Sequence, residues 1–206
     1  MRFQAPESLS EQIAQHLGQR IVVRDLKPGE RIQELKVAGD LNVSRGSVRE
    51  ALLILERRHL VEIYPRRGAV VSELTVDSVN ALYDIYIDLL CMLARKVLER
   101  WPGEQLGGVM GQVKEMQAVI DALNSNAPDA AERVIEAGFG VMQYAYRLVE
   151  NPFLEETLEN FRPAISRTYY VALDHFRSEI AETGTFFRHL ADAAVEGDPG
   201  RLQRVI

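Results

Sequence analysis

Apolar residues return every fourth position near the start of the chain: Leu9, Ile13, Leu17 and Ile21 in SLSEQIAQHLGQRIVVRD form one stripe. That is the spacing of a helix face. LKPGERI interrupts it at Pro28 and Gly29, a pair that breaks helices. QELKVAGDLN then predicts a short second helix and VSRGSVREALLILERRHL a third, with Val48, Ala51, Leu52 and Leu55 as its inward stripe. The rhythm changes in VEIYPRRGAVVSEL, where two short β-branched runs flank PRRG, a hairpin signal. From Thr75 onward every segment reads as helix. The first is VDSVNALYDIYIDLLCMLARKVLER, closed by Trp101-Pro102-Gly103. EQLGGVMGQVKEMQAVIDAL, weakened at its start by three glycines, and AAERVIEAGFGVMQYAYRLVE follow, with NSNAPD between them. The next helix opens at Asn151-Pro152 and carries Pro163, where a kink is expected. ETGT precedes FFRHLADAAVEGD, and PGRLQRVI begins one more helix without a stop signal, so the protein is expected to continue.

The pattern defines a mainly α chain in two parts. Residues 1–73 are three helices and a hairpin, the order of a winged helix-turn-helix, and residues 74–206 are all-helical. Charge supports the division. The overall net charge of −6 conceals 12 Lys+Arg against 10 Asp+Glu in residues 1–73, and 12 against 20 in the remainder. A mildly basic front and an acidic body point to different partners. With 47% hydrophobic residues the chain has ample core. No run approaches the ~18 apolar residues of a membrane span, so no membrane partner is expected. Cys91 is the single cysteine, which excludes an internal disulfide and fits a reducing, cytoplasmic setting. Within IDLLCMLA it reads as a small buried hydrophobe. No Ser-His-Asp set, P-loop or glycine-rich dinucleotide motif occurs, nor any His/Asp/Glu grouping with ligand spacing, so neither an enzyme nor a cofactor is expected.

The densest chemistry lies in NVSRGSVREAL, residues 42–52. Ser44 stands where an N-cap belongs. Arg45 and Arg49, four apart, project from neighbouring points beside the apolar stripe, with Gly46 and Ser47 leaving space between them. Guanidinium can donate two bonds to guanine's major-groove acceptors, and hydroxyls can reach phosphate or base edges. The helix before it supplies the other half of a helix-turn-helix. Arg66, Arg67 and Gly68 at the hairpin tip form a basic wing able to touch phosphates or enter the minor groove. The plainer reading of the arginine pair is a solvated helix face paired with Glu34, Glu50 or Glu56.

LKPGERIQELKVAGDLNVSRGSVREALLILERRHLVEIYPRRGAVV resembles the winged helix-turn-helix of GntR-family transcription regulators. Those domains carry P-G-x-x-L-x-E-x-x-L-A, then V-S-R-x-x-V-R-E-A-L, then G-L-V and an arginine-glycine wing; the similarity spans residues 8–73. Leu35 departs from it where some members carry a DNA-contacting arginine, and Gly46 replaces a usual threonine. The helical remainder is similar to the FadR-type C-terminal effector domain of that family. Its GN and GD landmarks correspond to Asn151-Pro152 and Gly197-Asp198. Many relatives bind a metal there, and the resemblance puts three of the ligand positions at Gly138, Met142 and Phe187, none able to coordinate one. The resemblance therefore implies no metal. It implies instead an apolar, aromatic effector pocket involving Tyr86, Met142 and Phe187, with Arg167 able to take an anionic headgroup or, more plainly, to pair with Glu159 or Asp174. The expected protein is a homodimer on a double-stranded operator, modulated by a small-molecule effector such as an acyl-CoA or fatty acid. The alternative is a regulator whose sensor has degenerated into a dimerisation or protein-contact module.

Overall fold

The computed structural model describes residues 8–100 and 130–175, with isolated positions elsewhere from 111 to 204. The chain forms two compact units: Met1–Val79 with Asn160–Thr168, and Asn80–Glu159 with Tyr169–Ile206.

In the first unit α1 spans Leu9–Val22, α2 Glu34–Leu41 and α3 Arg45–Arg57. Ser8 starts α1, its side chain accepting from the Glu11 amide at 3.1 Å. Ile13, Leu17 and Ile21 are buried as the stripe predicts; Leu9, expected beside them, is exposed at the first position of the helix, while Ser10 next to it is buried. Leu17 and Ile21 join Val48, Leu52 and Leu55 of α3 in one apolar cluster. Two polar ties flank it: Ser10 donates to Glu50 at 2.6 Å, and Arg58 donates to Glu11 at 2.6 Å. α2 ends at Asn42, which takes a left-handed conformation with φ 52°, a geometry asparagine tolerates. Three residues, Asn42 to Ser44, therefore turn the chain from α2 into α3.

The predicted hairpin forms as β2 (Val61–Tyr64) and β3 (Gly68–Val71), antiparallel with Tyr64 opposite Gly68. A third strand, β1 (Arg31–Ile32), pairs with β3 through Arg31–Val70 and Ile32–Ala69, giving the order β1-β3-β2. The sequence offers only a break there, since two residues are too few for alternation to register. At Gly29 φ is +73°, and its N–H donates to the Val71 carbonyl at 2.9 Å, anchoring the turn ahead of β1.

In the second unit α4 spans Val76–Arg100, beginning in the first unit, α5 Ala130–Val149, and α6 Pro152–His175. Thr75 and Ser78 cap α4 reciprocally, each side-chain oxygen accepting from the other's amide at 3.0–3.1 Å. Tyr86, Leu90, Leu93 and Val97 are its buried face. Arg100 closes the end of α5 by donating to the Val149 carbonyl at 2.9 Å. Asn151 accepts from the amides of Phe153 and Leu154, so the Asn-Pro start of α6 behaves as the sequence predicts. α6 runs through Pro163, and its residues 160–168 belong to the first unit. Most of the helix expected at 104–123, and most of the segments after His175, lie outside the described residues.

Candidate nucleic-acid interface

α3 begins with a filled cap. Ser44 Oγ accepts from the Ser47 amide at 3.0 Å and lies 2.9 Å from Ser47 Oγ. This serine pair fixes the first turn and leaves Arg45 and Arg49 on its solvent side, their side chains 56% and 60% exposed. Both guanidinium groups converge on one carboxylate. Arg45 Nε donates to Glu34 Oε2 at 2.7 Å; Arg49 donates Nη2 to the same oxygen at 3.0 Å and Nε to Oε1 at 3.3 Å. Glu34 opens α2, so the crossing of the two helices brings the three side chains together. Hydrogen bonds from Arg49, then from Arg45, hold the Glu34 carboxyl below the usual carboxylate range, and Glu34 in turn raises Arg49 further.

Of the three acids the sequence offered as partners, Glu34 alone takes the pair. Glu50 receives Ser10, and Glu56 accepts from the Ile63 amide at 3.2 Å. The ion pairs do not use up the arginines. Among the described residues Arg45 commits only its Nε, so its two terminal nitrogens keep the planar fork that suits guanine's N7 and O6. The cluster carries one net positive charge and faces solvent beside the Ser44–Ser47 hydroxyl pair. Gly46 leaves the surface low between the arginines; a Cβ there would meet only Ser44 Oγ, at an ordinary 3.6 Å.

The wing presents a second basic surface. Arg66 sits in the left-handed region at φ 64° and Gly68 follows at φ 81°, so the tip turns back tightly into β3. Arg67 lies over the Tyr64 ring, its guanidinium carbon 5.8 Å from the centroid, a cation–π geometry. Glu62 engages the Tyr64 hydroxyl and raises its pKa. The structure adds Arg31, which the sequence reading did not single out. Exposed on β1, its Nε and Nη2 lie 3.9 Å from where a Gly68 side chain would begin. Its only signal in the sequence is a lone cation after a Pro-Gly turn.

Of the residues assigned to the effector pocket, Tyr86 and Met142 belong to the second unit and Arg167 to the first. Tyr86 is buried and meets Tyr83 edge-on at 6.3 Å; Phe139 meets Tyr169 likewise at 6.4 Å. Burial first, then Tyr83 and Tyr86, push the Tyr169 phenol far above its ordinary range. Met142 is half-buried on α5. Phe187 lies outside the described residues. Arg167 is 2% exposed and donates Nη1 to Ser72 Oγ at 3.0 Å and Nη2 to the Ser72 carbonyl at 2.8 Å. Glu159, offered by the sequence as its partner, is instead engaged by Tyr146 and Gln143. Among the described residues no group of three or more His, Cys, Asp or Glu could hold a metal, and no helix is long and apolar enough to cross a membrane.

A three-helix core, a capped helix presenting paired arginines, and a basic hairpin define a winged helix-turn-helix DNA-binding protein. The family model "Bacterial regulatory proteins, gntR family" matches residues 9–71, and the FCD domain model matches residues 81–206. The chain belongs to the GntR family of bacterial transcription regulators, in the branch that carries an FCD domain. It is 34% identical over 94 residues to the HTH-type regulator YdhC of Bacillus subtilis, covering 46% of this chain and 42% of that one. It is 24% identical over 169 residues to the HTH-type transcriptional repressor RspR of Escherichia coli, covering 82% and 72%. The chain thus spans less than half of YdhC's length and nearly three quarters of RspR's. Among solved structures it shares its fold with E. coli McbR/YncC, at TM-score 0.71 and 20% identity over 97% of this chain and 92% of that one. A GntR regulator from Rhodococcus sp. RHA1 gives TM-score 0.73 at 21% identity, with the same coverage of each chain.

Proposed function

We propose that the chain acts as a homodimer on a pseudo-palindromic operator, reading bases with Arg45 and Arg49 and holding phosphates with Ser44, Ser47, Arg66, Arg67 and the backbone at Gly68. The observation that carries this reading is the shared carboxylate of Glu34, which pins two exposed guanidinium groups at the first turn of α3. A helix N-terminus already favours anions, and the Ser44–Ser47 hydroxyl pair lies in that turn. Two copies related by a two-fold axis would set the half-sites about one helical turn apart.

The effector is a small molecule with a substantial apolar or aromatic part, of which acyl-CoAs and fatty acids are the class to try first. Support comes from the buried aromatic side chains of the second unit, Tyr86, Phe139 and Tyr146, and from Met142, a thioether at a position where the family resemblance calls for a metal ligand. To change DNA binding, such a ligand must interact differently with the two states of the protein.

The test is selection of duplexes from a random pool, followed by titration of wild type and Arg49→Ala. Loss of about ten- to a hundredfold on the selected duplex alone supports base reading; equal affinity overturns it. Thermal-shift screening against acyl-CoAs, fatty acids and dicarboxylates tests the effector class by linkage. Indifference to all of them favours a helical part used for dimerisation or protein contacts alone.

A further inference from the structure

The largest fully buried side chain among the described residues is a cation: Arg167 on α6. A buried guanidinium requires acceptors, and among the described residues both that it uses belong to one residue, Ser72. Ser72 is the residue immediately after β3, and each of its polar groups is committed. Its N–H donates to the Leu60 carbonyl at 3.0 Å, its hydroxyl donates to the His59 carbonyl at 2.9 Å, and its two oxygens accept from Arg167. His59 and Leu60 immediately precede β2. Ser72 therefore closes the base of the wing, fastening the exit of β3 to the entrance of β2.

A second contact reaches the other leg of the hairpin. The ring of Phe161, about 1.7 turns before Arg167 on α6, lies 5.4 Å from the ring of His59. His59 holds a left-handed backbone, φ 58°, at the point where α3 gives way to β2. The segment of α6 from Asn160 to Thr168 thus touches both roots of the wing within the first unit, while the residues of α6 on either side belong to the second. Pro163 has no N–H for the Glu159 carbonyl, so the helix lacks one bond where that segment begins.

We propose that Arg167 is a positioning residue for DNA binding: through Ser72 it fastens α6 to the base of the wing, so that seating the wing on DNA and the state of α6 are coupled. The proposal rests on the DNA-binding reading above and gives Arg167 a role other than holding an effector headgroup. Coupling of this kind is reciprocal. DNA on the wing must stabilise the 160–168 segment by as much as that segment, held in place, favours the DNA-bound wing.

The experiment is hydrogen exchange read by mass spectrometry on the full chain, free and with a duplex of ~30 base pairs, enough for two half-sites, selected from a random pool by wild type. In free Arg167→Met, amides of residues 68–72 exchange about tenfold faster, while those of the Leu17–Leu52 core are unchanged. In wild type the duplex slows exchange in 160–168; in Arg167→Met that slowing is lost although the duplex still binds at saturating concentration. Ser72→Ala, which keeps the carbonyl acceptor, gives an intermediate result and serves alone should Arg167→Met not fold. Wing amides unchanged in both variants, no slowing of 160–168 in wild type, or slowing that survives in the variants each overturns the proposal. Failure of the DNA-binding reading looks different: no duplex is enriched, or Arg49→Ala binds like wild type.

Discussion

Glu34 accepts two hydrogen bonds from Arg49 and a third from Arg45, making one carboxylate at the start of α2 the common anchor of both arginines at the start of α3. The anchor lowers the charge of the cluster to one and fixes where the guanidinium groups point. Removing it leaves more charge and less aim. We expect Glu34→Gln to bind random-sequence duplex more tightly and selected duplex no better, narrowing the ratio between them. The slope of log affinity against log salt should steepen by about one unit. Fluorescence anisotropy over a salt series gives both quantities.

The same carboxylate titrates. Its folded pKa lies below its unfolded one because two cations hold it ionised. The stabilisation of the α2–α3 junction is therefore fully present above the ordinary carboxylate range, and it is lost as pH falls through the depressed folded pKa. We expect the side-chain carboxyl carbon of Glu34 to titrate lower than those of exposed glutamates in carbon-detected NMR. Arg49→Ala should move its midpoint upward, and Arg45→Ala by less, following the order of the two hydrogen bonds.

What was legible in the sequence follows from range. Ser44 could be placed as a cap because its partner, Ser47, is three residues away, and the inward face of α3 could be read from spacing alone. The hairpin declared itself through PRRG. Glu34 could be only one of three partners for the arginines, because the choice depends on how α2 crosses α3, 11 and 15 residues apart in sequence. Arg167 was readable as a helical residue with two nearby acids to pair with. Its actual partner stands 95 residues away, and neither composition nor periodicity carries that information. β1 escaped because two residues cannot show a period.

The wing cations should behave differently from the α3 pair. Arg66 and Arg67 are exposed at the tip, and Arg31 stands beside Gly68, where the tip enters β3. Contacts from such positions fall on phosphates, which carry no sequence information directly. We expect Arg31→Ala, Arg66→Ala and Arg67→Ala each to weaken selected and unrelated duplexes by similar factors, and each to flatten the salt slope by about one. Parallel titrations on two duplexes separate this from the selective loss expected for Arg45→Ala.

Two glycines in this surface should respond to alanine with opposite signs. Gly46 lies in the first turn of α3, and a methyl there meets one oxygen at contact distance. Alanine gives up less backbone entropy than glycine in a helix, so Gly46→Ala should be neutral or stabilise by up to about 0.5–1 kcal/mol. Any loss of DNA affinity in that variant would come from the raised surface between Arg45 and Arg49 rather than from the fold. Gly68 has room too, with Arg31 no closer than 3.9 Å, but its φ of +81° disfavours any L side chain. Gly68→Ala should cost about 1–2 kcal/mol and loosen the wing first. Urea unfolding gives the two signs, and exchange of the 61–71 amides shows whether the loss at Gly68 is confined to the hairpin. Equal behaviour of the two variants would mean that the left-handed turn at the wing tip is not held in solution.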